Sequence, residues 1–268
     1  MHLLKPLAAL ALTVLAQTSA AAIIASDDFT YAPGALAGQN GGTGWAGAWS
    51  AVAATTVADP AVDLVDDRTA SFAGNNDNAA SRQLASPFSG DRLYIDFSVQ
   101  VGSGSLAAND FLGLWLDTIN TGNHTSRPNF GIKADGSGLN DVFVRTSGTG
   151  GNFVSDSNIG STVGATNHIV ALLSRALVGD YTRFDVWLNP GINDLLTPHA
   201  SATGATGISQ VSFVGFRTVN LDTGDAVLID GLRLSTAWNE ALGVPEPAIL
   251  ALLGLGLAGL GLSRRRAV

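Results

Sequence analysis

Between Leu93 and Val101 every second side chain is apolar: Leu93, Ile95, Phe97, Val99 and Val101 alternate with Tyr94, Asp96, Ser98 and Gln100. A period of two fits a β-strand, whose successive side chains point to opposite faces, and does not fit a helix. The register predicts Ile95, Phe97 and Val99 on a core, with Asp96 exposed or paired. Phe184, Val186 and Leu188 repeat the pattern against Arg183, Asp185 and Trp187. From Phe111 to Leu116 both faces are apolar except at Gly113, as in a central strand, and shorter runs recur at Val142 to Val144, Ile169 to Leu173, Val211 to Phe216 and Val227 to Leu234. Clusters of Gly, Asn, Asp and Ser separate them. Apart from the two ends, no stretch holds a helical period for three turns, so the expected fold is all-β: an antiparallel β-sandwich of jelly-roll type.

Composition points the same way. Glu240 and Glu246 are the only glutamates among the 268 residues, and lysine is equally scarce. Helix surfaces normally use Glu and Lys, whereas Asp, Asn, Gly and Thr favour turns and strands. The absence of cysteine removes disulfides, thiolate nucleophiles and cysteine zinc sites together. With 14 basic against 22 acidic residues, a surface that neutralises nucleic-acid phosphates is disfavoured.

The two ends differ from the rest. Lys5, the apolar run from Leu7 to Ala16 and the small residues Ala20, Ala21 and Ala22 read as a secretory signal peptide over residues 1–22, cut by signal peptidase; the run is too short to span a bilayer. At the other end Val244-Pro245-Glu246-Pro247 precedes an apolar segment, 248–262, and a tail, 263–268, carrying Arg264, Arg265 and Arg266. The segment is expected to be a short transmembrane helix whose arginines stay cytoplasmic and stop the chain, leaving the prolines outside in extended backbone. The region between, 23–243, forms the sandwich domain. With the end segments set aside it holds 10 basic against 21 acidic residues, a net of −11.

The order of Pro-Glu-Pro motif, Gly- and Leu-rich helix and terminal arginines over 244–268 resembles the PEP-CTERM sorting signal of Gram-negative bacteria. That resemblance implies exosortase, a membrane protease and transpeptidase, as processing partner. It also implies export through the inner membrane, a transient membrane anchor, and delivery to the cell surface or to extracellular polysaccharide such as a biofilm matrix. A second resemblance brackets the body. Asp27-Asp28-Phe29, Tyr31, Gly34, Leu36, the run Gly38 to Trp45, and Trp49 resemble the opening of concanavalin A-like, LamG-like sandwiches. Asp185 to Pro190 and Ile229 to Trp238 resemble their last strands, with Gly231 where an acidic residue is common.

Chemistry is sparsely encoded. Glucanases on such a sandwich use two glutamates on one strand, and here both glutamates stand beside the sorting signal, so no catalytic residue is assigned. No GxSxG elbow occurs. His124 and His199 lie in polar loops and His168 opens a strand, and all three are expected to be solvated or capping. The run Gly38 to Gly44 lacks the Lys and Ser or Thr of a P-loop and reads as a turn that folds Trp45 and Trp49 onto the sheet. No cofactor is implied, except that hard oxygen ligands for calcium collect at Asp63, Asp66 and Asp67 and at Asn75, Asn76, Asp77 and Asn78. Trp187 has polar neighbours; its indole either stacks on a sugar ring or is covered by an adjacent loop. The expected function is an exported, non-catalytic surface or matrix protein; the alternative is a carbohydrate-binding module on exopolysaccharide, and a hydrolase is third.

Overall fold

The computed structural model describes residues 22–60, 64, 68–104, 106–107, 110–134, 140–155, 157–159, 163–222 and 224–244. In chain order the strands are β1 (Ile23–Asp27), β2 (Gly34–Ala35), β3 (Ser50–Ala51), β4 (Thr55–Ala58), β5 (Thr69–Phe72), β6 (Asn76–Phe88), β7 (Arg92–Ser103) and β8 (Phe111–Asp117). They continue with β9 (Asn129–Ala134), β10 (Asn140–Arg145), β11 (Asn152–Phe153), β12 (Thr166–Ser174), β13 (Arg183–Leu188), β14 (Ala200–Thr203), β15 (Val211–Val219) and β16 (Ala226–Ser235). Every pairing is antiparallel. Nine strands make one sheet, in the order β14, β13, β12, β7, β16, β5, β4, β2, with β1 also on β16; seven make the other, in the order β11, β10, β9, β8, β15, β6, β3. The antiparallel two-sheet sandwich expected from the alternation is therefore the fold. A 3-10 turn (Asp194–Leu196) and a helix α1 (Trp238–Ala241) are the only helices among the described residues. None there is long and apolar enough to cross a membrane. The signal segment before Ala22 and the apolar segment 248–262 lie outside the described residues.

The core lies between the sheets. Leu93, Ile95, Phe97, Val99 and Val101 of β7 are all inside it, facing Leu112, Leu114 and Leu116 of β8 and Val214 and Phe216 of β15. Phe97 stacks on Phe130 at 5.4 Å and meets Phe216 edge-on at 6.0 Å. The opposite face of β7 is buried too. Tyr94, with Val170, Leu172 and Trp187, packs beneath Trp238 and Ala241 of α1 in a second, smaller core. Beside it Asp96 is fully buried; its Oδ2 accepts from Arg233 Nη2 at 3.0 Å and Nε at 3.2 Å, with His168 Nε2 at 3.2 Å. Burial pushes its carboxyl above the usual range, against the pull of His168 and Arg233. The register holds, since the buried carboxylate is paired.

The glycine-rich opening segment builds a buried ionic knot at the end of β1. Asp27 Oδ1 accepts from Phe29 N at 2.9 Å, which holds Phe29 at φ +53°. Its Oδ2 accepts from Tyr31 Oη at 2.6 Å, Trp49 Nε1 at 2.8 Å and Arg82 Nη1 at 2.6 Å. Arg82 also donates to Gly47 O and Asn40 Oδ1 and lies over the rings of Trp45 and Trp49. Gly42 and Gly44 must be glycine: both have positive φ, and a Cβ at either would lie 2.0 Å from a carbonyl oxygen of Ser26 or Ile24. The run is thus a turn that seats Trp45 and Trp49. On the neighbouring strand, next to Leu232, which pairs with Asp27, Gly231, φ +61°, sits where the register of β16 against β7 shifts between Asp230 and Arg233.

Candidate functional site

The outer face of the seven-stranded sheet carries the polar residues of β8, β9, β10 and β15, because their partners in the alternation fill the core. Across its middle Gly113 of β8 pairs with Gly131 of β9 and with Arg217 of β15. The missing side chains let aromatic rings lie on the sheet: a Cβ on Gly113 would come within 2.6 Å of the Phe111 ring, and one on Gly215 within 2.2 Å of Trp115. At one end of this face Trp115 is capped by the imidazole of His124, stacked at 3.5 Å and 3°. His124 is buried, with φ +50°, and its Nδ1 is 3.0 Å from Asp117 Oδ2, which also accepts from Arg127 Nε at 2.8 Å. Burial pushes the Asp117 carboxyl up, but the hydrogen bonds from His124 and Thr118 N and the charge of Arg127 outweigh it and hold it below the usual range.

At the other end the face is open. A cleft of about 290 Å³ is lined by Phe111, Lys133, Arg145, Thr149 and Arg217, with Thr125, Val219 and Asn220 at its sides. Arg145 crosses Phe143 and Phe111, its Cζ 5.2 and 5.4 Å from their ring centroids, and Arg217 lies over Phe111 at 5.1 Å. Lys133 Nζ and Arg145 Nη1 both donate to Thr149 O, at 2.8 and 3.0 Å. Arg217 Nη2 donates to Asp77 Oδ1 at 2.8 Å. Burial pulls the Arg145 guanidinium down to about 10, helped by the charge of Arg217, and burial beside the same two arginines lowers Lys133. The cleft is a region of poorly compensated positive charge in an acidic protein, suited to holding an anion.

None of the described residues singled out by sequence as site candidates lines the cleft, although Asp77 pairs with Arg217 at its edge. Trp187 is 1% exposed, covered by Trp238 at 5.0 Å, and its Nε1 donates to Asp194 O at 2.8 Å. No ring face is left for a sugar, and the covering-loop alternative is what the structure shows. His199 is exposed and its Nδ1 accepts from Leu188 N, a capping role as expected. His168 is half-buried against Asp96, and His124 corrects the expectation of a solvated loop residue, because Trp115 supplies a flat apolar partner and Asp117 a hydrogen bond. Asp63, Asp66 and Asp67 lie outside the described residues, as do Pro245, Glu246, Pro247, Arg264, Arg265 and Arg266. Asn75 is exposed, Asp77 is engaged by Arg217 and Asn78 by Asn120, and no group of three or more acidic or histidine ligands converges among the described residues. Val244 is exposed, its N bonded to Asn239 O. Lys133, Arg145 and Arg217 are absent from the sequence expectations. Their signal is a repeated pattern in which an apolar, any, apolar triplet ends in a cation: Phe130-Gly131-Ile132-Lys133, Val142-Phe143-Val144-Arg145 and Val214-Gly215-Phe216-Arg217.

No curated protein matches the chain. Among solved structures it is similar to the globular domain of T. cruzi calreticulin, at 10% identity and a TM-score of 0.47 over 79% of this chain and 90% of that one. An alginate lyase gives 14% and 0.46 over 80% and 97%, and a glycosyl hydrolase family 16 protein from Mycobacterium smegmatis 12% and 0.41 over 80% and 100%. At such identities and scores these likenesses carry no argument about activity or ligand. The family model of the PEP-CTERM protein-sorting motif matches residues 243–266. The chain thus carries a PEP-CTERM sorting motif, which implies export and exosortase as processing partner, behind a body that is an all-β, two-sheet antiparallel sandwich.

Proposed function

We propose that this is an exported, non-catalytic β-sandwich protein, held briefly by its C-terminal segment and released by exosortase at Val244 to Pro247 to the cell surface or extracellular polysaccharide. The observation that carries the reading is where the motif starts. Ala241 is buried, Leu242 is half-buried, and Gly243 and Val244 are exposed, so the match at 243–266 begins as the packed domain ends. Cutting there leaves every described residue of both cores in place. The non-catalytic part is supported by the two glutamates: Glu240 lies on α1, off the strands, and Glu246 falls within the sorting motif in sequence, so no strand among the described residues carries a glutamate pair. On the open sheet face the aspartates Asp117 and Asp141 are buried and spent on local hydrogen bonds.

Mass spectrometry of the protein recovered outside cells of an exosortase-bearing host tests this. A C-terminus close to Pro247 is expected. One beyond Leu262 would mean that the apolar segment is retained, and a membrane anchor would replace sorting. The cationic cleft favours a second reading, in which the delivered domain binds carbohydrate. Retention on exopolysaccharide is its assay, and turnover abolished by replacing one particular aspartate would instead support a hydrolase.

A further inference from the structure

The cleft gathers three cations, whereas six of the seven other arginines among the described residues are ion-paired and the seventh, Arg92, donates to Tyr94 Oη. Lys133 and Arg145 share one neutral acceptor, Thr149 O, and neither forms an ion pair among the described residues. Arg217 has one carboxylate, Asp77, whose side chain is 59% exposed. Arg145 and Arg217 are 4% and 8% exposed, and Arg145 Nε and Nη2 and Arg217 Nε, all screened from solvent, have no hydrogen-bond partner. Buried donors without acceptors are unfavourable, and a guanidinium fork matches the two oxygens of a carboxylate or sulfate. The lowered ionisation of Arg145 and Lys133 is the same unsatisfied charge seen from the proton's side.

We propose that the cleft of Lys133, Arg145 and Arg217 binds the oxyanion of an acidic saccharide, the carboxylate of a uronate or the sulfate ester of a sulfated sugar. Arg145 and Arg217 bond the anionic oxygens, and Lys133 supplies charge at the mouth. Its volume, about 290 Å³, is at the small end for ligand sites and fits one sugar unit of a longer chain. Thr125 in the lining offers a hydroxyl to the sugar hydroxyls. The saccharide half of this assignment rests on the delivery to polysaccharide proposed above, and the anion half rests on the cleft alone.

Calorimetric titration of the purified exported protein with tri-galacturonate, a sulfated disaccharide, maltotriose, inorganic sulfate and an aspartate-rich peptide tests it. At least one acidic sugar binds, more weakly as salt is raised; maltotriose does not bind, and sulfate and the peptide bind at least about tenfold more weakly. Arg217→Gln lowers the acidic-sugar affinity about tenfold and Lys133→Glu by more, the latter at a half-exposed position where the fold tolerates change. Unchanged affinity in both variants, with native circular dichroism, would overturn the site. Equal binding of sulfate would reduce it to an ion site, and equal binding of the peptide would assign it to a protein partner; either overturns the saccharide. Failure of the export reading is distinguishable: a chain found inside the cell that still binds tri-galacturonate keeps the site, and a correctly sorted chain that binds neither acidic sugar loses it.

Discussion

Replacing Asp27 with alanine tests whether the knot at the end of β1 holds the two sheets together. Asp27 and Arg82 are 55 residues apart in sequence, and their side chains are 2% and 1% exposed. Removing one partner of a buried pair costs about 3–5 kcal/mol, chiefly because the remaining charge is stranded. Arg82 keeps Gly47 O at 2.7 Å and Asn40 Oδ1 at 2.8 Å, and half-buried Tyr31 can turn to water, which pulls the value down. The buried Trp49 Nε1 loses its acceptor, which adds about 1–3 kcal/mol. We therefore expect about 4 kcal/mol, a large share of the roughly 5–15 kcal/mol that hold a domain folded. Urea unfolding followed by tryptophan fluorescence measures it, and Asp27→Ala/Arg82→Met completes a cycle. Because a buried pair is often replaceable by apolar side chains, the double variant should be at least about 2 kcal/mol more stable than the sum of the single losses implies. A loss below about 1 kcal/mol, the value of an exposed pair, or strict additivity would show the network to be incidental.

Tyr31 gives a pH dependence. Burial, with the hydrogen bond to Asp27 and its charge, raises its phenol to about 12; the fold favours the neutral form, so stability from Tyr31 is full below the unfolded value of about 10 and is lost as pH rises through about 12. Tyr31→Phe should flatten part of the alkaline decline in melting temperature, but not all of it, because burial raises Tyr181 to about 12 as well. Gly215→Ala should cost about 1–3 kcal/mol in the same urea assay, since its Cβ would lie 2.2 Å from the Trp115 ring. Trp187→Phe should lose about 1 kcal/mol with its bond to Asp194 O and leave polysaccharide retention unchanged; retention lost at full stability would return a sugar-binding role to Trp187.

The strands were legible because alternation is a local property: Leu93 to Val101, Phe184 to Leu188 and the runs at 142–144, 169–173, 211–216 and 227–234 all lie in strands of the sandwich. Alternation says which side chains face a core, but not whether the other face is covered. The second core was therefore hidden: α1 is only four residues long, too short to show a helical period, yet its Trp238 closes over Tyr94 and Trp187. His124 was hidden for a similar reason, since its polar loop gives no sign of the Trp115 ring that buries it. The cationic cleft draws single residues from β9, β10 and β15, far apart in the chain, and no local cluster of basic residues announces it. The turn formed by Gly38 to Gly44 was readable because positive φ is written in glycine, whereas its ionic partner Arg82 lies on a distant strand.

The position of β15 and β16 sets a timetable. They are the last strands made among the described residues, yet β16 lies between β7 and β5 and also holds β1, while β15 lies between β8 and β6. Until residues 211–235 emerge, the seven-stranded sheet is two unjoined parts and the nine-stranded sheet is two parts and a lone β1, all with open edges, and neither can close over the core. Such long-range pairing makes for slow folding, governed by completion of the chain and not by its growing front. A polypeptide built this way stays loose and threadable while it is being made, and becomes a rigid body only when residues 211–235 arrive, shortly before the sorting motif.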